Sequence, residues 1–299
     1  MSKLTLGPVQ FHWSAAQRLD FYARMADESP ISCAYLGEVV CSKRLPWFEK
    51  DLTIIAERLQ RAGKQVVFST PALITTDREV SMIASICHAV ELIEVNDIAC
   101  ISLLNGKEFV SGPLINAFNE GTLDVLIGMG AVRINAPIEL SASAIITLAS
   151  KSKIEIEVFA FGRQPLAISQ RCYHARAHDL HKDNCQFVCG EDLDGMEIAQ
   201  LNGRPLLTIN GTQTLSYGHV TLLSDLANLQ ANGVTHFRLS PHALDMVEIA
   251  SVYRAVLDGA LDAEEGLVKL RKSTAPIPFI NGYLHGRAGM EWLTNPTNE

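Results

Sequence analysis

The 299-residue chain carries 25 Lys and Arg against 33 Asp and Glu, a formal charge of −8, with 47% hydrophobic and 19% charged residues. That balance supplies core material for one large α/β barrel or two ordinary domains, and with no block of consecutive Lys or Arg that offers a phosphate-tracking stripe, nucleic acid is not an expected main partner. No eighteen-residue apolar stretch occurs and MSKLTLGPVQFHW lacks the parts of a secretory signal, so no transmembrane segment and a cytoplasmic location are expected.

Short β-rich runs alternate with longer helical stretches. Strands are predicted over 4–9 and 32–36, separated by a helix over 14–27 that opens on the N-cap Ser14. A helix over 47–62, stopped by Gly63, leads to a strand over 65–69. A helix over 77–89 precedes strands over 91–95, 108–111 and 131–135, and a helix over 141–150, capped by Ser141, precedes a strand over 153–159. The rhythm then breaks between Gly162 and Gly218, in a polar, His- and Cys-rich segment that ends in strand-like runs over 196–200 and 206–209. An eighth strand over 235–239 is followed by helices over 243–257 and 263–271 and by the irregular tail PIPFINGYLHGRAGMEW. About eight βα repeats predict a single α/β domain over 1–299, a (β/α) barrel-like fold with a doubly wound sheet as the alternative. The broken segment, about 162–218, reads as an insertion at the barrel mouth.

Seven cysteines in a reducing compartment point to metal, catalysis or core packing, not to disulfides. Cys33, Cys87 and Cys100 have apolar neighbours and are expected in the core. Cys172, Cys185 and Cys189 lie in RCYHARAHDLHKDNCQFVC, too polar for a core, and Cys41 follows the second predicted strand, on the face where βα loops build barrel sites. Four thiolates suit zinc or an iron–sulfur cluster, and the long knuckle with one distant ligand leans toward the cluster. Arg171, His174, Arg176 and His178 flank Cys172, and Lys43 and Arg44 follow Cys41. Cationic neighbours offset thiolate charge, and the histidines offer substitute ligands.

GEVVCSKR, QRCYHAR with NCQFVC, VRINAPIELS, FRLSP and NGYLHGRAGMEW together resemble the collagenase-like peptidase family U32, in particular its branch serving ubiquinone biosynthesis in proteobacteria. The resemblance runs from LGPVQFHW to the tail. It implies one 4Fe–4S cluster on four cysteines whose positions match Cys41, Cys172, Cys185 and Cys189. It also implies a heterodimer with a UbiU-like paralogue, a UbiT-like lipid carrier, and oxygen-independent hydroxylation of the aromatic ring of ubiquinone precursors, with prephenate as the implicated hydroxyl donor. Peptidase activity belongs to distant relatives and is not carried over. The residues agree, since neither a G-x-S-x-G elbow nor an HExxH helix is present.

The residues alone leave three functions open: an iron–sulfur hydroxylase subunit, a zinc-stabilised binding subunit without chemistry of its own, and a hydrolase. Four protein thiolates fill every iron corner of a cubane, so electron transfer or a structural role is expected in place of substrate ligation. Substrate-pocket candidates are Glu38, Asn96, Asn116, Glu139 and Arg238 at strand ends, with Asn281, Tyr283, His285 and Arg287 in the tail. Arg238 stands first. A charge directly after VTHF needs a partner or a pocket, and a guanidinium suits carboxylates such as those of prephenate.

Overall fold

The computed structural model describes residues 2–294. Strand β1 (Lys3–Leu6) leads through helix α1 (Ala15–Asp27) to β2 (Cys33–Leu36), and α2 (Leu45–Arg61) leads to β3 (Gln65–Ser69). Then follow α3 (Asp77–Ala89), β4 (Ile93–Val95), β5 (Phe109–Ser111), α4 (Glu120–Gly128), β6 (Ala131–Asn135), α5 (Ala142–Lys151) and β7 (Glu155–Ile168). A 3-10 turn over Ile98–Leu103 replaces the helix between β4 and β5. After β7 the chain makes the short helix α6 (Tyr173–Ala177) and strands β8 (Met196–Ala199), β9 (Pro205–Asn210) and β10 (Gln213–Thr221). It returns through α7 (Leu226–Ala231) and β11 (His236–Leu239) to α8 (Met246–Leu257), α9 (Ala263–Thr274) and β12 (Phe279–Ile280).

Strands β1 to β7 pair in parallel in chain order, and β11 joins β1 on one side and β7 on the other. Eight parallel strands therefore close into a barrel with helices outside, the α/β barrel that the sequence rhythm predicts. Local chemistry starts and stops the helices where expected. Ser14 forms a capping box with Gln17, Ser141 caps α5, and Gly63, at φ +75°, lies just past the end of α2. The sequence reading passed over α4, which contains two glycines, and the six-residue α7; both are weak as periodic signals.

The excursion after β7 is a second sheet built on the barrel rim. Strand β7 overruns the barrel, and its outer half pairs antiparallel with β10, β10 with β9, and β9 with β8. Strand β12, from the predicted irregular tail, adds in parallel to β10. Neither the extension of β7 beyond 159 nor β10 was predicted, because GRQPLAI and QTLSYGHVT alternate poorly and contain Gly or Pro.

Outward-facing strand residues such as Leu4, Leu36, Val95, Ile134, Val158 and Phe237 join the main apolar core with the helices. The barrel interior is different: only Cys33, Tyr35, Val67 and Val110 form a small apolar cluster there. The rest is ionic. Arg238 pairs with Glu94 at 2.6 Å and Glu157 at 2.7 Å, with its guanidinium 3.9 Å over the Tyr35 ring. Glu157 also accepts from Tyr35 at 2.7 Å and from Thr5. Arg133 donates to Tyr35 at 2.9 Å and pairs with Glu155 at 2.8 Å. These bonds span the barrel from β7 and β6 to β2, and from β11 to β4.

Burial pushes the Glu157 carboxyl up, but Arg238 and Arg133 pull it down further, from an ordinary 4.5 to about 2. A folded value below the unfolded one gives a contribution to stability that is complete above pH 4.5 and lost as pH falls toward 2. Replacing Glu157 by Ala leaves two guanidinium groups short of a partner in the barrel. Glu157→Ala is expected to lower stability at neutral pH by about 3–5 kcal/mol in urea unfolding. The deficit should shrink as both proteins are taken below pH 4.5. A variant within about 1 kcal/mol of the parent at pH 7 would refute the role given to this network.

Candidate functional site

Four cysteines meet at the C-terminal rim. Cys41 follows β2 and caps a 3-10 turn over Ser42–Arg44. Its loop is held from inside by Glu38, whose carboxylate accepts from the backbone N–H of Val40 at 2.8 Å and of Cys41 at 2.9 Å. Cys172 is the N-cap of α6, its Sγ accepting from the Ala175 N–H at 3.4 Å. Cys185 and Cys189 flank a sharp reversal in which Gln186 and Phe187 both take left-handed backbone, at φ 51° and 55°. That conformation is costly for a bulky residue, of order 1–3 kcal/mol. Phe187 is held by its ring packing, 5.2 Å from His12 and 5.6 Å from Trp47 between centroids.

All four thiols line one cavity, together with Lys43, Arg44 and Lys182. Cys172 and Cys189 are 9% and 7% exposed, while Cys41 and Cys185 are half-buried. All seven cysteines are free thiols. Among the described residues no three His, Cys, Asp or Glu side chains converge closely enough to share a single ion.

Arg44 governs the electrostatics. It is 1% exposed, donates to the Gln10 carbonyl at 2.8 Å and to Asn210 Oδ1 at 3.1 Å, and lies 4.0 Å from Glu38. Burial raises the Cys41 and Cys189 thiols above their ordinary value, and the Arg44 charge pulls both back. Glu38 is raised by burial, with Arg44 and the two N–H donors opposing. The β9–β10 turn reaches Arg44 closely: a Cβ on Gly211, at φ +63°, would stand 2.7 Å from Nη2. The site is thus assembled from three separated segments plus the turn of the rim sheet.

The histidines offered as substitute ligands are otherwise engaged. His174 is buried with its Nε2 2.9 Å from the Asp192 carboxylate, and His178 stacks on it with its Nδ1 2.9 Å from the His174 carbonyl. Arg171, Arg176 and Lys182 border an open groove on the other side of Cys172. Cys33, Cys87 and Cys100 are fully buried, as expected.

Of the substrate candidates, Arg238 is drawn into the barrel network already described, and the Asn135 amide, turned so that its oxygen faces the guanidinium, accepts from Nε at 2.9 Å. It has the partner its position demanded. Asn281 clamps Leu293 through both its amide groups, at 2.8 and 3.0 Å, and His285 sits 3.5 Å from Asp225. Asn96 is buried against Thr70 and Glu94. Tyr283 lines two cavities remote from the cysteine set. Sequence reasoning missed Gln10, Asn210 and Gln213, which bond to one another around Arg44. The Asn-Gly pair at 210–211 was the one available cue, as a turn signal.

A family model described as peptidase family U32 matches residues 14–294. The chain belongs to peptidase family U32. Among solved structures, this U32 chain is similar to a tryptophan synthase complex from Pyrococcus furiosus, at 10% identity and a TM-score of 0.40, over 90% of this chain and 96% of that one. It is also similar to tryptophan synthase of Mycobacterium tuberculosis, at 9% identity and a TM-score of 0.39, over 95% and 91% of the two chains. Among the described residues of the U32 chain, no helix is long and apolar enough to cross a membrane.

Exposure and burial order the seven thiols. In native, metal-free protein, Cys41 and Cys185 should react first with an aromatic disulfide reagent. Cys33 and Cys100, which burial raises to about 12 and about 11, should react only on unfolding. Peptide mapping that found Cys33 labelled as fast as Cys185 would contradict the packing described.

Proposed function

We propose that this U32 chain is a UbiV-like iron–sulfur subunit of an oxygen-independent hydroxylase acting on the aromatic ring of ubiquinone precursors. It would hold a 4Fe–4S cluster on Cys41, Cys172, Cys185 and Cys189. The observation that carries the reading is that these four thiols, and no other cysteine, line one cavity beside a buried guanidinium. The donor set fits the cofactor: thiolates are the ligands such clusters take, and they must be deprotonated to bind. Arg44 favours the thiolate form of Cys41 and Cys189 against the cost of burial. When bound there, the cluster supplies electron transfer. The chain's own residues hold it: Glu38 fixes the Cys41 loop, α6 orients Cys172, and the Phe187 packing sets the reversal that carries Cys185 and Cys189.

A heterodimer with a UbiU-like paralogue, with a UbiT-like carrier delivering the lipid, completes the reading. Large aromatics exposed next to the ligand segments, Trp47 after Cys41 and Tyr173 after Cys172, support a covered face there. The family description favours a second reading, a peptidase. Among the described residues no Ser or Cys side chain is hydrogen-bonded to a histidine ring. Turnover of a peptide panel by the purified chain would favour that reading.

Anaerobically purified protein is expected to contain about four iron and four sulfide per chain and to give an EPR signal on reduction. Each of Cys41→Ala, Cys172→Ala, Cys185→Ala and Cys189→Ala should lose most of the iron, while Cys87→Ala keeps it. A colourless protein containing zinc would overturn the cluster, and two of the four variants at full iron would overturn the ligand set. Co-expression with a UbiU-like paralogue should yield a one-to-one complex on size exclusion, burying more than about 1,000 Å². Anaerobic hydroxylation by the purified chain alone, given prephenate, would show the partner to be dispensable.

A further inference from the structure

Away from the cysteines, the rim sheet and the C-terminal segment enclose an apolar cleft of about 440 Å³, walled by Leu166, Leu207 and Tyr217 on one side and Ile280 and Met290 on the other. Sites for small molecules span ~300–1,000 Å³. At the inner end of the cleft stand Gln164 and Tyr283. The same two residues line a second, smaller apolar cavity beyond the end of β6, so they form a pinch between the two spaces. The pinch is tight: a Cβ on Gly289 would lie 2.7 Å from the Tyr283 ring and 2.8 Å from Gln164 Nε2.

Gln164 carries the argument. It is 2% exposed, and its backbone N–H donates to Ser216 Oγ at 2.8 Å. Its side-chain amide makes no hydrogen bond to any described residue, and neither does the Tyr283 hydroxyl. The amide is not sealed off: it faces the cleft among apolar walls, so its hydrogen bonds must come from whatever fills that space. The lining also fixes the class of ligand. Its one charged member, Arg204, is exposed, so the interior offers no counter-charge for an anion.

We propose that this cleft binds a small amphipathic molecule. Its apolar chain or ring lies on Leu166, Leu207, Ile280 and Met290, and a single hydroxyl or carbonyl head meets the Gln164 amide and the Tyr283 hydroxyl. The cleft shares no residue with the cysteine cavity, so the inference holds or fails without reference to the cluster.

The test titrates the purified full chain with para-hexylphenol and, separately, with hexylbenzene, which has the same tail and no head, using ligand-observed NMR. Saturable one-to-one binding of para-hexylphenol is expected. Leu207→Trp fills the cleft and should weaken it about tenfold or more through lost apolar contact. Gln164→Leu should weaken para-hexylphenol about fivefold and leave hexylbenzene unchanged, because only the phenol uses the amide. Should Leu207→Trp fail to fold by circular dichroism, Met290→Trp blocks the same cleft from an exposed position and serves in its place. Absence of saturation, or equal binding by the cleft-filling variant and the parent, overturns the site. Equal loss of phenol and benzene in Gln164→Leu overturns the role of the head group.

Discussion

Two guanidinium groups taken out of water inside a closed barrel set the terms for the rest of this molecule. Arg238 and Arg133 need acceptors: Glu157 and Glu155 supply them from the neighbouring strand β7, and Glu94 and Tyr35 from across the barrel. Such a network adds little net stability over apolar packing, yet removing one member leaves a buried charge exposed to the full desolvation cost. It also ties β2, β4, β6, β7 and β11 to one register, since a strand slipped by one residue would turn its ionic members outward. The side chains of this network are buried in the barrel interior, and the second sheet stands on the rim above them.

That rim sheet exists because β7 does not stop at the barrel edge. Its outer half templates β10, and β10 in turn templates β9 and β12, so the chain between the seventh and eighth barrel strands is folded against a rigid support. The loop bearing Cys172, Cys185 and Cys189 hangs from this support and meets the Cys41 loop over Arg44. Here the Arg44 guanidinium is buried, and it is answered differently from the two in the barrel. Its nearest carboxylate is 4.0 Å away, its hydrogen bonds go to the neutral groups of Gln10 and Asn210, and thiols border it. A buried cation with so little anionic compensation is suited to a cavity that gains negative charge on loading, as the proposed tetrathiolate cluster requires.

The barrel was legible because eight strands with outward apolar faces leave a period that composition cannot hide, and because Ser14, Ser141 and Gly63 mark element ends by local chemistry. The interior was not legible. Arg238 looked like a ligand for substrate since a sequence shows that a charge follows an apolar run, but not which carboxylates stand across the barrel. The cysteines could be sorted for the opposite reason: polar neighbours around Cys172, Cys185 and Cys189 betray a surface loop, and the position of Cys41 after a strand gives the face. Arg44 was visible only as a basic neighbour. Its burial depends on Asn210 and Gln10, residues about 166 and 34 positions away in the chain. The apolar cleft left almost no trace either, because its walls come from poorly alternating strands and an irregular tail.

Strand β9 joins the two rim features. Its C-terminal end carries Asn210 and the Gly211 turn onto Arg44, and its first half places Leu206 and Leu207 in the apolar cleft. Four residues of extended chain separate those points, about 13 Å at the rise of a strand. Strand β9 is paired on both edges, with β8 and β10, which fixes its register. A slip of β9 by one residue would turn Leu207 out of the cleft and Asn210 away from Arg44 together, so one register serves both features.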